Sequence, residues 1–184
     1  MTRRFVAIGV PAEVREPLAE VTAHLRAPGA RLRPADPAGW HLTLAFLGEP
    51  DEEAIGPVVD AITDAVAAAA PRPAPRLRVA GAGRFGDRVL LARLEQEPAG
   101  AMDPLVADLH ERLRDVGLQL PERRFRPHLT LARARRRAPV GPADVAALGL
   151  PAISWRPATL DLWRSTAVPG VYEVEVALAW PSSG

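Results

Sequence analysis

The pentapeptide His-Leu-Thr-Leu-Ala occurs twice, at His41–Ala45 and at His128–Ala132. The chain holds only four histidines, and two of them open these copies, each followed two residues later by a threonine. The mix of leucine, threonine and alternating small or polar residues suits a β-strand rather than a helix. Successive side chains on a strand point to opposite faces. His41 and Thr43 are therefore expected on one face, with Leu42, Leu44 and Phe46 turned into a core; His128 and Thr130 share a face over Leu129 and Leu131. Two strands each present an imidazole beside a hydroxyl.

The remaining pattern supplies a frame for these strands. Phe5, Val6, Ile8 and Val10, stopped by Pro11, predict an opening strand. Val14, Leu18, Val21 and Leu25 predict an amphipathic helix from Ala12 to about Arg26, with Pro17 inside it, followed by a loop from Pro28 to Gly39. Asp51 is expected to cap a second helix with Ile55, Val58, Ile62 and Val66 inward, broken between Pro71 and Pro75. A strand around Leu77 and Val79 follows. Gly81, Gly83 and Gly86 then spell a dinucleotide-binding fingerprint. That fingerprint needs a helix next, to receive a pyrophosphate, whereas Arg88 to Leu94 reads as a strand. The glycines are therefore expected to shape a hairpin turn, and no nucleotide cofactor is expected.

From Val89 the pattern starts again. Asp103 as cap and Pro104 at the first helical position lead into Leu105, Leu109, Leu113 and Val116, stopped by Gly117. The second histidine strand, a short helix around Asp144 to Leu148, a strand over Thr159–Arg164 and an alternating strand from Tyr172 to Trp180 complete the chain. The expected fold is α+β: two pseudo-symmetric lobes, each a mostly antiparallel sheet backed by helices, with the two His-x-Thr strands across a central cleft. Residues 1–184 are expected to form a single bilobal domain with an approximate internal repeat over 1–86 and 87–184.

Composition removes several classes of function. At 184 residues and 48% hydrophobic content the chain can bury a substantial core. No apolar run approaches membrane-spanning length, and Met1–Val6 enters strand-like sequence too soon for a signal peptide, so the expected location is cytoplasmic. With no cysteine there is no disulfide framework or thiolate site, and no HExxH-type motif is present, so no metal is expected. A net charge of +1 gives no global attraction to nucleic acid; any affinity must come from a local patch. All basic residues are arginine, and Arg123, Arg124, Arg126, Arg133, Arg135, Arg136 and Arg137 crowd the second motif, either as a solvated loop or as contacts to an RNA backbone. No interface stripe is visible, so a monomer without a protein partner is expected.

Two imidazoles on opposite walls of a cleft can hold different protonation states near neutral pH. One then protonates a leaving group while the other takes a proton from an attacking water. Hydroxyls beside each would donate to anionic oxygens. A phosphodiester, with nucleophile and leaving group in line on opposite sides of phosphorus, matches that symmetry. His24 and His110 instead fall within amphipathic helices and are expected at the surface or its boundary. Trp40, Phe46, Phe85 and Trp163 are expected to pack, with base stacking as the other role open to them.

Trp40–Gly48 (WHLTLAFLG) and Arg124–Arg133 (RFRPHLTLAR) resemble the paired His-x-Thr-x motifs of the two-histidine phosphoesterase superfamily. The closest likeness is to its bacterial and archaeal RNA 2′,3′-cyclic phosphodiesterases, historically called 2′-5′ RNA ligases. The resemblance covers essentially the whole chain. It implies hydrolysis of the 2′,3′-cyclic phosphate at an RNA end to a 2′-phosphomonoester, without cofactor or metal. By motif position it implies His41 as proton donor to the departing 3′ oxygen and His128 as proton acceptor from water. Thr43 and Thr130 would hold the non-bridging oxygens, and Arg133 would be a further phosphate ligand. The alternatives are 2′-5′ ligation or 2′-5′ phosphodiester cleavage, a small cyclic nucleotide as substrate, and a noncatalytic module that binds RNA ends.

Overall fold

The computed structural model describes residues 2–69 and 73–180. In chain order the elements are β1 (Arg4–Gly9), α1 (Ala12–Val21), β2 (Arg33–Pro34), β3 (His41–Gly48), α2 (Ile55–Ala69), β4 (Arg76–Phe85) and β5 (Val89–Glu97). There follow α3 (Asp103–Asp115), β6 (His128–Arg133), α4 (Pro142–Ala146), β7 (Ser154–Trp155), β8 (Thr159–Ser165) and β9 (Tyr172–Ala179). The strands form two antiparallel sheets, in the orders β3-β1-β8-β9 and β2-β6-β5-β4-β7. Apart from the added β2, the orders correspond place for place, with each histidine strand beside the strand that opens its half.

The correspondence involves an exchange. β4, from the first half of the chain, sits in the second sheet, while β8 and β9, from the second half, complete the first. Neither half therefore builds a sheet from its own strands. One apolar core serves both: Val6, Ile8, Leu42 and Leu44 from one sheet and Leu90, Leu129 and Leu131 from the other, with Ile62 of α2 and Leu109 of α3. Among the described residues no helix is long and apolar enough to cross a membrane.

Several local expectations are corrected. Val21 is exposed and Thr22 takes the inward place, its hydroxyl donating to the Leu18 carbonyl at 2.7 Å, so α1 ends there and a 3-10 turn carries Leu25 inward. Asp51 precedes a 3-10 turn at Glu52–Ala54 without capping it through its side chain. Met102, not Asp103, is the N-cap of α3, and Gln96 accepts its backbone N–H at 2.6 Å. The break expected over Pro71–Pro75 falls partly outside the described residues. The loop before Trp40 contains β2. Gly81 and Gly83 lie within β4, where the register shifts between Val79 and Ala82; the turn is made by the residues between Phe85 and Val89. Gly81 has φ +94°, and a Cβ on Gly83 would meet Leu91 and Arg93 at 3.1 Å, so these glycines serve a bulge and a close strand contact. A strand follows them, and the dinucleotide fingerprint has no helix to complete it.

Arg4 fastens the outer strand of the first sheet. Its side chain is 4% exposed; Nε and one Nη donate to the two Glu175 oxygens on β9 at 2.8 and 3.0 Å, and the same Nη donates to Glu52 at 2.7 Å. Glu175 first, then Glu52, hold the guanidinium's pKa above its ordinary value against the cost of burial. Replacing Arg4 with Met leaves Glu175 without its partner and is expected to cost about 2–4 kcal/mol in denaturant unfolding. Glu52→Gln, at the 81% exposed end of the cluster, is expected to cost less than about 1 kcal/mol.

Candidate active site

Both histidine rings are anchored in the same way. His41 Nδ1 lies 2.7 Å from the Gly39 carbonyl and His128 Nδ1 lies 2.7 Å from the Arg126 carbonyl, in each case two residues back along the chain. A carbonyl only accepts, so Nδ1 carries the hydrogen in both rings. Nε2 is then bare in the neutral ring and N–H in the charged one, and either ring can take or give a proton there.

The strand geometry departs from simple alternation at one matching place in each copy. Ala7 pairs with Thr43 and Val6 with Ala45, so Leu44 is an extra residue opposite β1; Leu91 pairs with Thr130 and Leu90 with Ala132, so Leu131 is the extra residue opposite β5. A single inserted residue reverses the facing of everything after it. Burial runs half-buried, buried, half-buried, buried, buried, exposed from His41 to Phe46 and again from His128 to Arg133. The leucines stay inward, and the bulge turns Phe46 and Arg133 out. Phe46, expected in the core, is 59% exposed. The bulge carbonyls are not left bare: Leu44 accepts from His110 Nε2 at 2.8 Å, and Leu131 accepts from the Ala35 N–H at 2.9 Å. His110, expected at the surface boundary, is thus a clamp from α3 onto β3. His24 is exposed as expected.

The surroundings of the two rings differ. His41 stacks on Phe5 with ring centroids 4.6 Å apart, lies 5.5 Å from Trp163 and meets Tyr172 edge-on at 5.4 Å. Phe5 in turn lies 6.3 Å from Phe46. Phe5, Ala7 and Trp163, with Tyr172 against them, form an apolar cluster separate from the main core. Among the described residues the one aromatic ring against His128 is Phe85, in a T-shaped contact at 4.6 Å. Asp161 sits beside Trp163 at 5% exposure, paired in register with Ala7, and burial pushes its carboxyl pKa up. Trp40 is buried in the main core.

Burial lowers the His41 pKa to about 4, with the Gly39 carbonyl opposing and the charges of His128 and Arg133 adding to the depression. His128 is also lowered, chiefly by burial, with Arg133 adding and the Arg126 carbonyl opposing. The positive charge of Arg133 thus disfavours protonation of both rings, and that of His128 disfavours protonation of His41. Among the described residues no carboxylate shifts either ring. Such a site disfavours its own positive charge, and an anion between the rings would convert each repulsion into a shared attraction. Thr43 and Thr130 lie half-buried two residues beyond the histidines. Among the described residues no three His, Cys, Asp or Glu side chains converge as a metal site.

The sequence reading missed Phe5 and Tyr172 as walls of the site, and Arg33 and Arg88 as neighbours of Arg133. Arg33 pairs with Arg133 in register across β2 and β6, and Arg88 precedes Val89, which pairs with Arg133. Arg33 lies in a stretch that reads as loop, and no local pattern links Arg88 to the second motif.

A family model described as the 2′-5′ RNA ligase superfamily matches residues 10–169. An RNA 2′,3′-cyclic phosphodiesterase of Thermus thermophilus is 33% identical over 156 residues, covering 81% of this chain and 77% of that protein. A crystal structure of a Thermus thermophilus protein superposes with a TM-score of 0.79 at 30% identity, over 99% of this chain and 100% of the other. E. coli LigT complexed with 3′-AMP gives a TM-score of 0.73 at 27% identity, over 98% and 99% of the two chains.

NMR titration of the ring resonances checks the electrostatics. Both rings are expected to titrate below 6.5, with His41 lowest at about 4. Arg133→Gln removes a positive charge and is expected to move both midpoints up; His128→Ala is expected to raise that of His41.

Proposed function

Because the chain belongs to the 2′-5′ RNA ligase superfamily, we propose that it is a metal-independent hydrolase of the 2′,3′-cyclic phosphate at RNA ends, leaving a 2′-phosphomonoester. The observation that carries this reading is the pair of identically anchored imidazoles, one from each sheet, depressed by burial and by Arg133 with no carboxylate to offset it. The cyclic phosphodiester is an anion of the required sign. Once bound, it favours protonation of both rings, His41 included.

In the proposed step, neutral His128 takes a proton from water at Nε2 while the water oxygen forms a bond to phosphorus. The phosphorus–O3′ bond breaks in line, and protonated His41 gives its Nε2 proton to O3′. One proton has entered at His128 and one has left from His41, so the charge balances. Thr43 and Thr130 donate their hydroxyls to the non-bridging oxygens, and Arg133 pairs with the phosphate's negative charge. Arg133 needs no charge partner other than substrate for this role. Both motifs lie on one chain, which supports action as a monomer without a protein partner; the reading places that action in the cytoplasm. A noncatalytic RNA-end module would not need two rings whose free Nε2 atoms can exchange protons.

The test is an RNA oligonucleotide ending in a 2′,3′-cyclic phosphate, incubated with EDTA. Wild type is expected to yield the 2′-phosphate, with His41→Ala and His128→Ala each slower by about 100-fold or more. Binding without turnover by the wild type would replace hydrolysis with the end-binding reading. A pH series adds an independent check, because kcat/KM reports the free enzyme. It is expected to be bell-shaped with both limbs below 6.5, owing to the two depressed imidazoles. The kcat optimum is expected at higher pH, since the bound anion raises both rings. The limbs belong to the coupled pair.

A further inference from the structure

A groove of about 460 Å³ opens beside Arg133 and is lined by Arg33, Arg88, Arg133, Ala134, Arg135 and Arg136. These arginines come from three separated stretches of chain. β2 lays Arg33 against Arg133; the β4–β5 turn supplies Arg88, whose carbonyl accepts from the Ala134 N–H at 2.8 Å; the turn closed by the Arg135–Ala138 bridge supplies Arg135 and Arg136. All five guanidinium-bearing residues are exposed. Among the described residues none of them pairs with a carboxylate, while elsewhere Arg31 pairs with Asp144, Arg78 with Glu95, Arg112 with Asp108 and Arg164 with Glu173. In a chain of net charge +1, five unpaired arginines around one concavity are a local charge concentration that the composition does not require.

The groove also has no twin. The place that matches Arg133 in the other lobe is Phe46, and no strand matching β2 lies outside β3 among the described residues. One side of the site is therefore aromatic and the other cationic. Arg133 belongs to both the groove and the site, since its charge reaches both imidazoles.

Building on the proposed hydrolysis, we infer that this groove binds the internucleotide phosphates preceding the cyclic phosphate, which makes the enzyme selective for oligonucleotide ends over mononucleotide 2′,3′-cyclic phosphates. The RNA chain leaves the site on the His128 side. The same guanidinium chemistry would also hold the polyphosphate of a free nucleotide, so the substrates must separate the two sources.

Four substrates do so: a nucleoside 2′,3′-cyclic phosphate with a free 5′-hydroxyl, the same nucleoside carrying a 5′-diphosphate, and a dinucleotide and a pentanucleotide ending in the cyclic phosphate. For wild type, kcat/KM is expected to rise by about 10-fold or more from the first substrate to the pentanucleotide. In the double variants Arg33→Gln/Arg88→Gln and Arg135→Gln/Arg136→Gln that ratio is expected to fall by about 10-fold, whereas Arg78→Gln, outside the groove, keeps the wild-type ratio. For the pentanucleotide, the slope of log kcat/KM against log salt is expected to lessen by about 1.4 when two arginines are removed. An unchanged ratio in both double variants overturns the inference. So does a 5′-diphosphate that by itself supplies the whole gain. If wild type cleaves none of the four, the hydrolysis reading has failed, and binding of a labelled pentanucleotide ending in a 2′-phosphate judges the groove alone. Affinity about 10-fold weaker in the double variants upholds the groove, and equal affinity overturns it.

Discussion

One extra residue at the fourth position of each histidine motif is the constraint on which the site depends. With strict alternation, position six of each motif would join the leucines in the core, and an arginine at that depth would need a partner the structure does not offer. The bulge at Leu44 and Leu131 lets an inward face of two leucines and an alanine coexist with a three-residue outward face on six residues. Its cost is a carbonyl freed from the strand ladder, and a freed buried carbonyl needs a donor. The two lobes solve this with different groups, a histidine side chain on α3 in one and a backbone N–H just past β2 in the other. The bulge thus ties each histidine strand to an element outside the neighbouring strands of its half.

Much of the architecture was legible because the signals were local. The duplicated pentapeptide, the apolar stripes of α2 and α3 and the turn before Val89 each lie within a window whose periodicity has one interpretation. What escaped was set by distant partners. Phe46 reads as a core residue until the pairing of β3 with β1 is known, and Val21 reads as a core residue until the Thr22 hydroxyl is seen returning to Leu18. β2 is two residues long and is a strand only because β6 offers it a ladder. Repetition alone singles out His41 and His128 as candidates, whereas Phe5, Tyr172, Arg33 and Arg88 are separated from both motifs in sequence and join them only through strand register.

Identical sequence does not give identical chemistry here. The two imidazoles share an anchor and a local backbone shape, yet His41 sits in an aromatic enclosure and His128 meets a single ring edge beside an arginine-rich rim. The deeper burial of His41 makes its charged form the less favourable of the two without substrate. Two rings with one sequence and one anchor are thereby made unequal by their surroundings.

The exchange of strands between the sheets also has a consequence in time. On a ribosome, residues 41–48 emerge early, but the Trp163 and Tyr172 rings that enclose His41 are carried by β8 and β9, far downstream. Until those strands are synthesised, β1 lacks its neighbour on one side and Phe5 lacks the stacked Trp163 ring. The nascent chain can collapse its second sheet earlier, because β2, β4, β5, β6 and β7 all precede β8. The surroundings of the histidine encoded first are therefore finished last, and a translation product interrupted between β6 and β8 contains both histidines but lacks the Trp163 and Tyr172 rings around His41.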